Sequence, residues 1–369
     1  MWDRFGHWPR IRALAGLVAL VLMLAASAIV PLTVGHGEVA RPAAMTASAG
    51  PLATRGRDAD LALYDRVIAR LRRGEPYYPV VAQEQRRGHY PLRPGLAVRL
   101  PTLAVIEAAI GGGTQGLVLT ILALALMLGV VAAWWGRLGQ EGCSPAQRRM
   151  GTALMFLGAS LGLNRYFFVL HELWAGMLLA LALGLHRPGQ GRWRGAWLAA
   201  ALALAIREHS LPFVLLMMVM AFWRREWREG AAWGALIALF GVGLAWHLHR
   251  VAAVTMPGDP LGPSWFAMRG LAGWLSNVVL SSNLRFLPHW LAGPLVVAMM
   301  LGWAGWRSAC GATATLLFLG YGLLFMVAGR DDNFYWGLMI APAMVVGLAF
   351  APMAGAGLWR AVWIGGRGF

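Results

Sequence analysis

The chain has 369 residues, 59% of them hydrophobic and only 13% charged, with a mean hydropathy of +0.58. A soluble domain is nearer a quarter charged, so composition excludes an ordinary globular protein and points to an all-α polytopic membrane protein, a single transmembrane domain over 1–369. The net charge is +16 and all 32 basic residues are arginine, but the cations sit at the ends of apolar runs rather than on a soluble basic face. Nucleic acid is therefore not implied, and anionic membrane lipids and phosphate-bearing substrates are the expected partners.

Taken from the N-terminus, Arg4, Arg10 and Arg12 precede an apolar run ending in "LAASA", the pattern of a signal peptide. The run continues through "IVPLTV" and is long enough to span, so an uncleaved first helix is expected. About ten transmembrane helices follow from the apolar runs, near 12–33, 114–135, 150–165, 171–186, 195–207, 210–223, 231–249, 286–306, 311–329 and 336–356. Alternate loops carry the arginines: the N-terminus, 136–149, 187–194, 224–230, Arg307, and the tail with Arg360 and Arg367. The positive-inside rule places these in the cytoplasm. They read as otherwise featureless, and their cysteines, Cys143 and Cys310, match no metal spacing. The tryptophans at 134–135, 223–227 and 303–306 read as interfacial belts.

The complementary segments face outward. They are the long loop 34–113, "NRYFFVLHE", "REHS", the loop 250–285, and "GRDDNFYW". Within the first loop, Leu61, Tyr64, Ile68 and Leu71 at helical spacing predict an amphipathic interfacial helix, ended by Gly74, with Asp65, Arg66, Arg70 and Arg73 on its polar side. A second short interfacial helix is predicted over 101–110. The "GGGTQG" that follows lacks a preceding strand, so it reads as an entry to the second span rather than a phosphate cradle.

Most of the 16 acids fall on this outer side. Charged groups sunk below a membrane surface are costly unless paired or wetted, and so are functional candidates. Arg207, Glu208 and His209 fill a tight turn between two short helices. Arg165, His171 and Glu172 fill another, and Arg330, Asp331 and Asp332 a third. Tyr335 and Trp336 beside them read as belt anchors.

These residues resemble the GT-C superfamily, integral-membrane glycosyltransferases that use polyprenyl-phosphate-linked sugars. The resemblance rests on one N-terminal span followed by a large outer loop with interfacial helices, and on the acidic motif "DAD" (Asp58, Asp60). It continues in "LYDRVIARLRRGEPYY", in "HYPLRP" (Tyr90, Arg93), and in a second outer acid, Glu172 in "HELWAG". It covers roughly residues 12–230, and the remainder only by layout.

The resemblance implies a sugar transferred to an acceptor hydroxyl on the periplasmic face of a bacterial inner membrane. Asp60 would be the base and Asp58 the reserve. Such transfer needs a carboxylate to deprotonate the acceptor and cations for the departing phosphate. Asp60 serves equally as an N-cap for a helix beginning at Leu61. Glu172 would hold the acceptor, share a divalent cation such as Mg or Mn with Asp60, or pair with Arg165. Arg207 and His209 suit the donor phosphate, and for Arg207 a salt bridge is the alternative role. A transporter or flippase of a lipid-linked precursor is the competing function. It predicts midplane charges, broken helices and an internal repeat.

Overall fold

A computed structural model describes residues 3–33 and 58–363. The first part of the expected outer loop, 34–57, and Arg367 of the tail lie outside them. Among the described residues there is no β-strand, only isolated bridges. The helices in chain order are α1 (Arg10–Ile29), α2 (Ala59–Leu71), α3 (Tyr77–Arg87), α4 (Thr102–Ile110), α5 (Gln115–Gln140), α6 (Pro145–Ala159) and α7 (His171–Leu185). They continue with α8 (Arg194–Ile206), α9 (Leu211–Trp223), α10 (Trp227–Ala252), α11 (Gly270–Leu280), α12 (His289–Gly305), α13 (Ala309–Val327), α14 (Ala341–Met344) and α15 (Ala351–Trp363). A 3-10 segment, Asp331–Met339, leads into α14.

Four helices, α1, α5, α10 and α13, are long and apolar enough to cross a membrane, and a fifth crossing results if 341–349 and 351–363, bent by 52°, form one span. The chain is thus an all-helical protein with membrane-capable helices, but length does not establish ten crossings. The reason is geometric. α7, α8, α9, α11 and α12 run 11 to 17 residues, and at about 1.5 Å per residue each is shorter than the roughly 30 Å hydrocarbon layer. One of them, α11, is an apolar helix within 250–285, where the sequence suggests only a loop.

The expected interfacial helices form. α2 buries Leu61, Leu63, Tyr64, Val67 and Ile68 and ends before Gly74, whose φ of +84° suits glycine. α4 covers 102–110 as expected, while α3 was not anticipated. α1 packs on α12 and α15. Of the tryptophans read as belts, Trp134, Trp303 and Trp306 are instead core residues, and the first two donate to the carbonyls of Ala180 and Met344. Buried indole N–H groups need such acceptors.

Close helix approach depends on glycine. On α7, a Cβ at Gly176 would run into the carbonyl oxygen of Leu338. Gly176→Ala is expected to cost about 1–3 kcal/mol, because backbone cannot yield as a flexible side chain does. Thermal unfolding in detergent measures it, and an unchanged midpoint refutes the close-packing argument.

The interfacial helices are tied to the bundle by a fork. Arg86 on α3 donates from Nε to Asp259 Oδ1 (2.7 Å) and from Nη2 to Oδ2 (2.8 Å), and the Met256 N–H adds a bond at 2.7 Å. These bonds hold the Asp259 carboxyl down to about 2, against an ordinary 3.8. A depressed carboxylate contributes stability that is full above its unfolded-state value and is lost as pH falls through the folded value. Asp259→Asn is therefore expected to melt below wild type at neutral pH, with the gap closing between about pH 4 and pH 2. A gap that persists unchanged at pH 2 contradicts the ionic origin.

Candidate functional site

Two of the expected turns, those of Glu172 and of Arg207, meet Arg99 from the long first loop in one buried ion network. Glu172, on the first turn of α7, is fully buried. One of its oxygens accepts from Arg99 Nη1 at 2.6 Å, and the other lies 2.8 Å from Arg207 Nε. Arg207 also donates to Glu208 Oε1 at 2.6 Å, and His209 Nδ1 lies 3.0 Å from the same oxygen. Two arginines and two glutamates cancel, which is what makes their shared burial tolerable. Local sequence explains the turn: Arg207 leaves helical geometry (φ −144°, ψ 119°), ending α8 and letting Pro212 start α9.

Aromatic side chains enclose the network. The Arg99 guanidinium lies 5.0 Å from the Tyr64 ring and 5.4 Å from the Tyr335 ring, within cation–π range. His209 packs on Trp336 with ring centres 4.4 Å apart, and the Tyr321 hydroxyl donates to the His209 carbonyl. Arg99 itself is set by a strap over 98–100. Its three consecutive carbonyls accept from His247 Nε2 (3.1 Å), the Tyr77 hydroxyl (2.7 Å) and His171 Nε2 (3.3 Å). A carbonyl only accepts, so both histidines carry the proton on Nε2 at this contact. That leaves His247 Nδ1 to accept from the Tyr78 hydroxyl at 3.2 Å.

Asp60 lies on the other side of the tyrosines. It is half-buried in the first turn of α2, near enough for its charge to act on Tyr64 and Tyr335. The Tyr90 hydroxyl is hydrogen-bonded to it. Burial, then that bond, pushes the Tyr90 phenol well above its ordinary value. Asp60 does not cap the helix as expected. α2 begins at Ala59, so Asp58 holds the N-cap position. Asp58 is exposed, makes no side-chain cap bond, and donates its N–H to the Tyr166 hydroxyl at 3.0 Å.

Further along α2 a cavity of about 280 Å³ opens between that helix, α4, the start of α5 and the turn before α7. Its polar lining is Asp65, Arg72, Glu107, Gln115 and Arg165, with Phe168 among the apolar walls. Gln115 Nε2 donates to Glu107 at 3.0 Å and accepts from Arg72. Gly116 lets the Arg165 guanidinium lie against the start of α5, because a Cβ there would fill its place. Arg165 therefore does not pair with Glu172. Asp65, expected on a solvated face, faces this cavity.

The remaining candidates lie elsewhere. Asp331 accepts from Arg269 Nε at 3.1 Å, and Arg330 pairs with Asp332 at 3.2 Å, so this turn ties loops together while its neighbours Tyr335 and Trp336 reach the network. Belt anchoring is thus corrected for those two aromatics, which are both packed inward. Arg93 is exposed, and its carbonyl accepts from the Gly262 N–H. From sequence Arg99 reads, with Arg87 and Arg93, as a contact for phosphate or lipid headgroups, and it pairs instead with Glu172; Tyr64 and Tyr335 are the site residues that sequence reasoning missed. Nor is the arginine-rich end featureless. Arg137 is buried with Glu141 at 2.8 Å, and a buried His186 lies 2.8 Å from Glu229.

Among the described residues, no three His, Cys, Asp or Glu side chains come together as a metal site. Both Glu172 oxygens face arginine, so the geometry gives no support to a divalent cation shared with Asp60. Comparison with protein-family models, with curated proteins and with solved structures finds no match.

Proposed function

We propose that the chain is a GT-C-type glycosyltransferase of the bacterial inner membrane, crossing it about ten times with its site on the periplasmic face. The observation that carries this reading is a mixed cavity lined in part by α2, the helix that also carries Asp60. A sugar–phosphate headgroup needs carboxylates and amides for its hydroxyls, guanidinium groups for its phosphate, and an apolar wall for its C–H face. Asp65, Glu107 and Gln115, then Arg72 and Arg165, then Phe168 supply those types in one volume. The polyprenyl chain would lie along the lipid-facing side of α5, whose Leu117, Ile121, Leu124 and Leu128 are exposed.

In the reaction, Asp60 takes the proton of the acceptor hydroxyl as that oxygen bonds the anomeric carbon. The carbon–phosphate-oxygen bond breaks on the opposite face, giving inversion, and the polyprenyl phosphate leaves with the electron pair. Tyr90 orients the Asp60 carboxylate. Arg207, already engaged with Glu172 and Glu208, holds the site's frame rather than the donor phosphate.

A transporter or flippase has one observation in its favour, the 52° break between 341–349 and 351–363, since broken helices are common in transporters. The test is to incubate purified protein in detergent with undecaprenyl-phosphate-linked sugars and short glycan acceptors and measure sugar transferred. Transfer supports the enzyme. Donor binding without transfer to any acceptor, together with lipid movement across proteoliposomes, supports the transporter. Failure to bind any polyprenyl phosphate overturns both.

A further inference from the structure

A second recess, of about 360 Å³, lies between α2 and α3 and has a different character. Its lining is Arg66, Arg70, Arg73, Arg87, Glu84 and Ala69. Four guanidinium groups around one volume repel one another, and an ordinary solvated face spreads such charges apart.

Here two glutamates hold three of them together, and the exposed Arg87 borders the recess from α3. Buried Glu84 accepts from Arg66 Nε (2.8 Å) and Arg70 Nη1 (3.1 Å), while Glu75 accepts from Arg70 Nη2 (2.5 Å) and Arg73 Nη2 (3.2 Å). Each carboxylate is thus divided between two cations, and the set of four arginines and two glutamates keeps a net charge of +2. Glu84 takes only the Nε of Arg66, which turns the Nη pair of that side chain away from the bond. The spacing of Arg66, Arg70 and Arg73 at i, i+4 and i+7 lines up two arginines on one face of α2 with a third in the turn that follows it. On its opposite face the helix packs Leu61, Tyr64 and Ile68 into the core, so the orientation of the basic face is fixed.

We infer that this recess is a preformed phosphate-binding site, shaped for a phosphate-bearing anion such as the headgroup of an acidic lipid. Guanidinium forks match phosphate oxygens in pairs, and Arg66 and Arg70, already held by Glu84, lose less freedom on binding than unclamped surface arginines do. The site shares no lining residue with the first cavity, and the inference does not rest on the proposed transfer reaction.

The test measures binding to purified full-length protein in two arms. One titrates phosphatidylglycerol against phosphatidylcholine in mixed micelles, and the other titrates inorganic pyrophosphate. Binding in the first arm identifies a lipid source. Binding in the second alone identifies a soluble phosphate, and binding in neither overturns the site. Arg73→Gln with Arg87→Gln, both exposed positions, is expected to weaken binding by about tenfold or more with the melting temperature unchanged.

Glu84→Gln separates a built site from diffuse attraction. It adds net positive charge but removes the clamp on Arg66 and Arg70. Weaker binding supports the preformed site. Unchanged or tighter binding overturns it, because general electrostatics then suffices. Melting measured alongside checks that Glu84→Gln stays folded, and Arg66→Gln repeats the comparison without touching Glu84.

Discussion

Glu172→Gln is expected to lower stability by about 3–5 kcal/mol, because it strands a buried cation. In the native protein the charges of Arg99, Arg207, Glu172 and Glu208 sum to zero inside a region where Glu172 is fully buried and Arg207 only 5% exposed. Removing the Glu172 charge leaves Arg207 with Glu208, but leaves Arg99 with aromatic faces alone. Adding Arg99→Met restores neutrality. The double variant is therefore expected to be more stable than Glu172→Gln, a reversal that loss of hydrogen bonds alone does not produce. Unfolding of the three proteins in detergent, followed by intrinsic tryptophan fluorescence, gives the comparison. If the double variant is the least stable, the charge-balance account is wrong and the network acts through its bond geometry.

The second large effect falls on activity. Asp60→Asn is expected to reduce sugar transfer by about 10²–10⁴-fold, the usual contribution of a positioned general base. It should leave donor binding and melting temperature near wild type. The substitution is nearly isosteric, and Asp60 is half-buried rather than core. Tyr90→Phe is expected to lose less, since it removes an orienting bond and leaves the carboxylate. Initial rates at saturating donor separate the two. An Asp60→Asn variant that transfers at the wild-type rate removes Asp60 from the chemistry, and Asp65 becomes the next carboxylate to test.

Local pattern made part of this legible. The apolar spacing of Leu61, Tyr64 and Ile68 gave α2, and the crowding of Arg207, Glu208 and His209 in apolar sequence marked a turn that does hold charge inside the protein. What escaped was long-range. Arg99 meets Glu172 across 73 positions of sequence, and nothing near Arg99 distinguishes it from Arg87 or Arg93. Tyr335 and Trp336 looked like interfacial aromatics because periodicity reports amphipathicity, not which neighbour a ring will meet. Helix length does not carry the expected ten crossings, for a related reason. Hydropathy counts apolar runs, whereas the chain uses several of them as helices of 11 to 17 residues packed within the bundle.

The strap at 98–100 constrains how this protein can tolerate change in length. Its carbonyls are claimed one after another by rings from α10, α3 and α7. Inserting or deleting a single residue within the strap would shift the carbonyls that follow by one place. Buried donors would then face the wrong group, and the Arg99 side chain would point away from Glu172. Length variation inside 98–100 is thus opposed by register, whatever the identity of the inserted residue, whereas the exposed positions of the preceding loop can absorb it.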